Sequence, residues 1–166
     1  MNDPILTVDR RNVRELKLPQ IPKEIIQDLT GDYDSYKTIW TNEEIATYKL
    51  TDSYNDKLDV WGKKNICESI YWEFQIITGD LGIHCDSRPY GYSMTEFGFP
   101  VVKFVYLLAT GGDNVITEIY DESQTKLIES YKFELHKWYL FNVQQPHRVI
   151  GMQQGKTRFA VVGHVF

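Results

Sequence analysis

Trp138-Tyr139-Leu140-Phe141-Asn142-Val143, His147-Arg148-Val149-Ile150-Gly151 and Thr157-Arg158-Phe159-Ala160-Val161-Val162-Gly163-His164-Val165 follow one another across short polar connections. Each run is aromatic or β-branched, which fits a pleated, half-buried surface. Gln153-Gln154-Gly155 reads as a turn between the last two. Working backwards, residues 69–77, 82–86, 101–109, 115–120 and 125–133 have the same character, and Gly111-Gly112-Asp113-Asn114 closes the strongest of them. These eight candidate strands leave no helix-length gap after residue 80, which favours an antiparallel barrel or jelly roll over any βαβ arrangement.

The first 65 residues read differently. Residues 1–22 are charged and end in Leu18-Pro19-Gln20-Ile21-Pro22, an extended lead-in. Residues 22–29 have helical spacing and stop near Gly31, a plausible C-terminal cap. Thr41-Asn42-Glu43-Glu44 has capping-box spacing and predicts a short helix through Tyr48. Residues 51–65 are polar and carry little signal. The expected fold is mostly β with flanking N-terminal helices (α+β), as one domain over 1–166. Residues 1–65 would form a helical or extended buttress and 66–166 the barrel core.

Composition narrows the function classes. At 166 residues the chain is long enough to bury a sizeable core, and 42% hydrophobic with 14% aromatic residues is a globular balance. A net charge of −5 argues against a broadly basic nucleic-acid or membrane surface. The N-terminus lacks the apolar stretch of a secretory signal. Residues 99–110, the most apolar segment, are too short to span a bilayer and contain Lys103. Two cysteines do not make a disulfide framework, so a reducing, cytoplasmic setting is expected.

Against that background His84, Asp86, His147 and Arg158 stand out. In a strand, residues i and i+2 share a face, so His84 and Asp86 point together while Cys85 points away as a small packed residue. His-x-Asp alone is a weak signal that an ordinary strand end also satisfies. Pro146 restricts the backbone just before His147, which would help aim its imidazole. Arg148, of opposite parity, is expected to face away. Two histidines and one carboxylate on one face of a metal leave the other positions open, the ligand set of non-haem Fe(II) oxygenases. Arg158 raises the odds. Its strand is apolar on both faces, and a guanidinium pointing into such an interior needs a carboxylate for its planar fork. That carboxylate could belong to a bound co-substrate or to an internal Asp or Glu.

From about Ile70 onward the chain resembles the Fe(II)- and 2-oxoglutarate-dependent dioxygenases, within them the prolyl-hydroxylase-like group. The matching segments are Ile83-His84-Cys85-Asp86, Phe104-Val105-Tyr106-Leu107-Leu108, Gly111-Gly112 followed by Thr117-Glu118-Ile119-Tyr120, Trp138 to Asn142, Pro146-His147-Arg148-Val149 and Thr157-Arg158-Phe159-Ala160. The resemblance implies a double-stranded β-helix, a cupin-like jelly roll. It implies iron held by His84, Asp86 and His147, with the distal carboxylate of 2-oxoglutarate on Arg158 and on Tyr106. Dioxygen would be the second co-substrate, succinate and carbon dioxide the co-products, and ascorbate a candidate reductant. The substrate, a protein prolyl group or a small molecule with a C–H bond to hydroxylate, stays open. Arg158 follows His147 by eleven positions, longer than in many prolyl hydroxylases, and Val162 stands where some members carry a hydroxyl. Asp86 in the carboxylate position argues against halogenation.

Three alternatives remain from sequence alone: a cupin-like metal enzyme without 2-oxoglutarate, a non-catalytic metal-binding barrel, and a Zn(II) hydrolase centre. Tyr90, Tyr92 and Arg88 could line the pocket mouth or pack in a loop.

Overall fold

A computed structural model of the chain describes residues 13–27, 37–41, 45–49, 52–68, 70–86 and 102–165. In chain order the elements are β1 (Val13–Leu16), α1 (Lys23–Ile26), β2 (Lys37–Thr41), β3 (Ile45–Lys49), α2 (Asp52–Asn65), β4 (Tyr71–Ile77), β5 (Val102–Thr110), β6 (Ile116–Tyr120), β7 (Leu127–Tyr131), β8 (Trp138–Asn142), β9 (His147–Ile150) and β10 (Arg158–Val165). They form two antiparallel sheets, one ordered β1-β8-β5-β10-β4-β3-β2 and one ordered β7-β6-β9.

β10 lies between β5 and β4 in the larger sheet, so both its faces must be apolar. Its odd residues meet one core and its even residues another. Val161 packs with Trp72, Phe74, Tyr106 and Trp138, and with Leu58 and Trp61 of α2, which covers that face. Ala160 and Val162 pack with Val105, Leu107, Ile119, Phe133 and Phe141 between the two sheets. Burying an aromatic side chain of this size stabilises by about 1.5–3 kcal/mol, so the Trp72, Trp138 and Phe74 positions dominate the first core. Trp72 fits because glycine stands on either side of it. A Cβ on Gly62 would lie 2.7 Å from its ring, and one on Gly163 would lie 2.6 Å from Ile70 and 2.8 Å from Trp72.

The N-terminal third departs from the sequence reading. Thr41 ends β2, and β2 pairs with β3 as an antiparallel hairpin, where a helix was expected through Tyr48. The capping-box spacing is met equally by a polar turn, and the flanking Trp40-Thr41 and Ile45-Ala46-Thr47-Tyr48 runs favour strands. The polar stretch 52–65 is helix α2. Among its described side chains the buried hydrophobic ones are Leu58 and Trp61, with Ile66 beyond the end, a stripe too sparse to read as periodicity. Residues 13–16 of the lead-in pair with β8, and the helix placed at 22–29 is present over Lys23–Ile26. Its cap at Gly31 lies outside the described residues. Among the described residues no helix is long and apolar enough to cross a membrane.

Candidate metal centre and pocket

Residues 82–86 do not form a strand. His84 makes a single antiparallel bridge with His147, the first residue of β9. The two residues exchange both backbone bonds, His84 N–H to His147 O at 2.9 Å and His147 N–H to His84 O at 2.8 Å. The Asp86 N–H donates to Val143 O at 3.0 Å. Two segments distant in sequence, 84–86 and 143–147, are thereby fixed together at one end of the barrel.

The side chains follow. Asp86 Oδ1 lies 3.4 Å from the Nε2 of His84 and 3.4 Å from the Nε2 of His147. One ligand atom from each of the three residues falls within 4.8 Å of the others, a spacing that can hold a metal ion. Both imidazoles are oriented from behind. The Nδ1 of His84 is 2.7 Å from Gly82 O and that of His147 is 2.8 Å from Gln145 O. A carbonyl only accepts, so each Nδ1 carries a proton and each ring turns its Nε2 to the common point. Phe141 packs edge-on against His147, with centroids 4.5 Å apart. Burial lowers the His147 pKa and outweighs the pull of Asp86, which favours the neutral, metal-ready ring. Burial alone would raise the Asp86 carboxyl, but the charge of Lys103, with help from the two histidines, holds it well below its ordinary range.

Beside this trio lies a pocket whose lining includes His84, His147, Lys103, Thr117, Gln75 and Arg158. Arg158 is only 5% exposed, and its guanidinium sits over the Phe133 ring, 5.2 Å from the centroid. Among the described residues no carboxylate or other hydrogen-bond acceptor meets it. Burial depresses its pKa to about 10. Thr117 Oγ1 is likewise buried without a hydrogen-bond partner. The pocket therefore ends in a cation and a hydroxyl that nothing within the described residues satisfies.

The structure brings His84, His147 and Arg158 to one pocket, with Asp86 against the two histidines, and leaves Tyr106 out of it. On β5 the odd residues Lys103 and Val105 face the pocket, so Tyr106 faces the opposite core. Its ring packs 4.8 Å from that of Trp138, and its hydroxyl meets the backbone of Ile21. Strand parity thus overrules the carboxylate-binding role expected of Tyr106. Arg148 is outside the pocket and pairs with Glu118 at 2.7 Å, and Cys85 is buried. Arg88, Tyr90 and Tyr92 lie outside the described residues. Sequence reasoning passed over Lys103, whose Nζ is 2.5 Å from Asp86 Oδ2, and Thr117. A lysine inside the most apolar strand was a usable signal, because a buried cation demands a partner; a lone threonine in a β-branched run was not.

No protein-family model matches the chain, and no curated protein matches it. Solved structures do. A 2OG-Fe(II) oxygenase family oxidoreductase from Burkholderia pseudomallei superposes with a TM-score of 0.62 at 8% identity, covering 92% of this chain and 84% of its own. A Trichoplax adhaerens prolyl hydroxylase, in complex with a hypoxia inducible factor peptide, gives 0.63 at 13% identity, covering 99% and 88%. A Pseudomonas putida prolyl-4-hydroxylase gives 0.59 at 10% identity, covering 92% and 91%. The fold is that of the 2OG-Fe(II) oxygenases. At these identities the likeness concerns the backbone of this oxygenase fold, and the side chains described above must carry the chemistry.

Proposed function

We propose that this chain is an Fe(II)- and 2-oxoglutarate-dependent oxygenase that hydroxylates a C–H bond of a protein prolyl group or a small molecule. One observation carries the reading: a buried guanidinium with no anionic partner among the described residues shares a pocket with two histidines that converge with the Asp86 carboxylate on one point. A buried charge is tolerated when a ligand supplies its counter-charge. A dicarboxylate long enough to reach from the metal trio to Arg158 meets that need, and neutral ligands do not.

His84, Asp86 and His147 would hold the ion, a mixed nitrogen and oxygen set suited to Fe(II). When bound, the iron would supply the redox chemistry by which dioxygen converts 2-oxoglutarate to succinate and carbon dioxide and oxidises the substrate. The protein's residues do the rest. Arg158 grips the distal carboxylate through two N–H donors, and Thr117 Oγ1 with the Gln75 amide completes its hydrogen bonds in the place assigned to Tyr106. Val149, Phe133 and Phe141 wall the pocket and exclude water from the reacting centre. Ascorbate would keep the iron ferrous, and the thin cysteine content fits a cytoplasmic setting.

The test is 2-oxoglutarate turnover to succinate with Fe(II) and ascorbate, beside calorimetric binding of 2-oxoglutarate to Co(II)-loaded protein. The parent should bind and turn over slowly even without substrate. His84→Ala should lose metal and turnover, and Arg158→Ala should lose co-substrate affinity with the metal retained. A parent that binds Co(II) but not 2-oxoglutarate refutes the proposal in favour of a 2-oxoglutarate-independent barrel.

A further inference from the structure

Lys103 lies on β5 beside the metal trio, and the reading above gives it no task. It is 6% exposed, with its ammonium 2.5 Å from Asp86 Oδ2 and 5.3 Å from the Phe141 ring centroid. The two oxygens of Asp86 therefore have separate partners. Oδ1 faces both imidazole Nε2 atoms, and Oδ2 is held by the ammonium. Directly across the strand pair from Lys103 stands His164, which is committed to Glu73 at 2.9 Å. Asp86 is thus the only carboxylate that Lys103 contacts among the described residues.

A serine, an asparagine or a backbone N–H could also have satisfied Oδ2. A full positive charge does two further things. It keeps the second oxygen from swinging onto the ion, where a carboxylate with both oxygens free can chelate and occupy an extra position. It also repels the ion and draws electron density out of the carboxylate, so the ion is held less tightly. An octahedral ion needs three free positions for a chelating 2-oxo acid and dioxygen, and single-oxygen ligation by Asp86 leaves three.

We propose that Lys103 is a positioning residue that confines Asp86 to ligation through Oδ1, keeping the ion's remaining positions open while lowering the centre's affinity for it. The inference rests on the metal centre of the proposed function and concerns Lys103 alone.

Co(II) is the probe, with affinity read by competition against a chelator and coordination by the visible d–d bands. In Lys103→Met the ion should bind roughly tenfold tighter or more, since a unit charge near a dication is removed. The d–d spectrum should change, and 2-oxoglutarate should bind the Co(II)-loaded protein at least about tenfold more weakly. Lys103→Arg should restore all three values to near those of the parent. In an Asp86→Asn background, Lys103→Met should raise Co(II) affinity clearly less than in the parent, because only the direct repulsion is relieved and the part that acts through the carboxylate is gone. Should Lys103→Met fail to fold, Lys103→Gln carries the same expectations. Unchanged or weaker Co(II) binding in the neutral variants, or an equal gain without the Asp86 carboxylate, overturns the inference. A parent that takes up no Co(II) overturns the metal centre itself, a distinguishable result.

Discussion

Replacing Arg158 with methionine should make the ligand-free protein more stable and the co-substrate complex much weaker. The magnitude follows from burial. The Arg158 pKa falls from 12.5 to about 10 with desolvation as its cause, so keeping the group charged in the fold costs about 3 kcal/mol at neutral pH. The sign is clear: a cation whose pKa drops on folding destabilises the native state below both values. Loss of the stack on Phe133 returns about 1 kcal/mol of that gain. Methionine fills a similar volume without a charge, so the net stabilisation should be about 1–2 kcal/mol, or roughly 3–6 °C in Tm for a chain of this size. Binding moves the opposite way. Truncating one side of a buried charge pair costs about 2–5 kcal/mol, which is roughly 30-fold or more in 2-oxoglutarate affinity. Thermal melts of Co(II)-loaded parent and Arg158→Met, with and without 2-oxoglutarate, measure both effects. If the variant melts several degrees below the parent without ligand, Arg158 has a structural partner and the ligand argument fails.

Thr117→Val should keep or slightly raise the melting temperature, because it removes an orphaned hydroxyl, and should weaken 2-oxoglutarate binding by about 1.5–3 kcal/mol in calorimetry; unchanged affinity would remove Thr117 from the pocket's hydrogen bonds. Gly163→Ala should destabilise by about 1–3 kcal/mol in chemical unfolding, since its Cβ would sit 2.6 Å from Ile70 and 2.8 Å from Trp72. Glu118 is held below its ordinary pKa by the Tyr120 hydroxyl and by Arg148, so its share of stability is present above pH about 4.5 and fades as pH drops through its folded value. Glu118→Gln should flatten that acid limb of the stability profile; an unaltered limb would show that the contact contributes nothing.

How much was legible in the chain depends on how redundant each signal was. β10 was plain because both its faces are apolar, and the same fact made Arg158 conspicuous inside it. β5 through β9 announced themselves by β-branched and aromatic runs between turns. His84 and Asp86 met His147 as anticipated, although a lone backbone bridge, rather than a strand, aims them. Tyr106 was misplaced because a family analogy was followed where parity along β5 pointed the other way. α2 was invisible because two buried residues, Leu58 and Trp61, do not make a periodic stripe. The β2–β3 pairing was hidden behind a Thr-Asn-Glu-Glu order that imitates a helix start.

The reciprocal amide pair between His84 and His147 means that two of the three donors ride on one small backbone unit. An ion seated there would clasp chain segments more than sixty residues apart, shortening the loops of any partly opened state much as a cross-link does. Metal uptake and closure of this end would then be one event, so a chelator added to the metal-loaded protein should loosen the β9 end first and leave the strands around Trp72 intact.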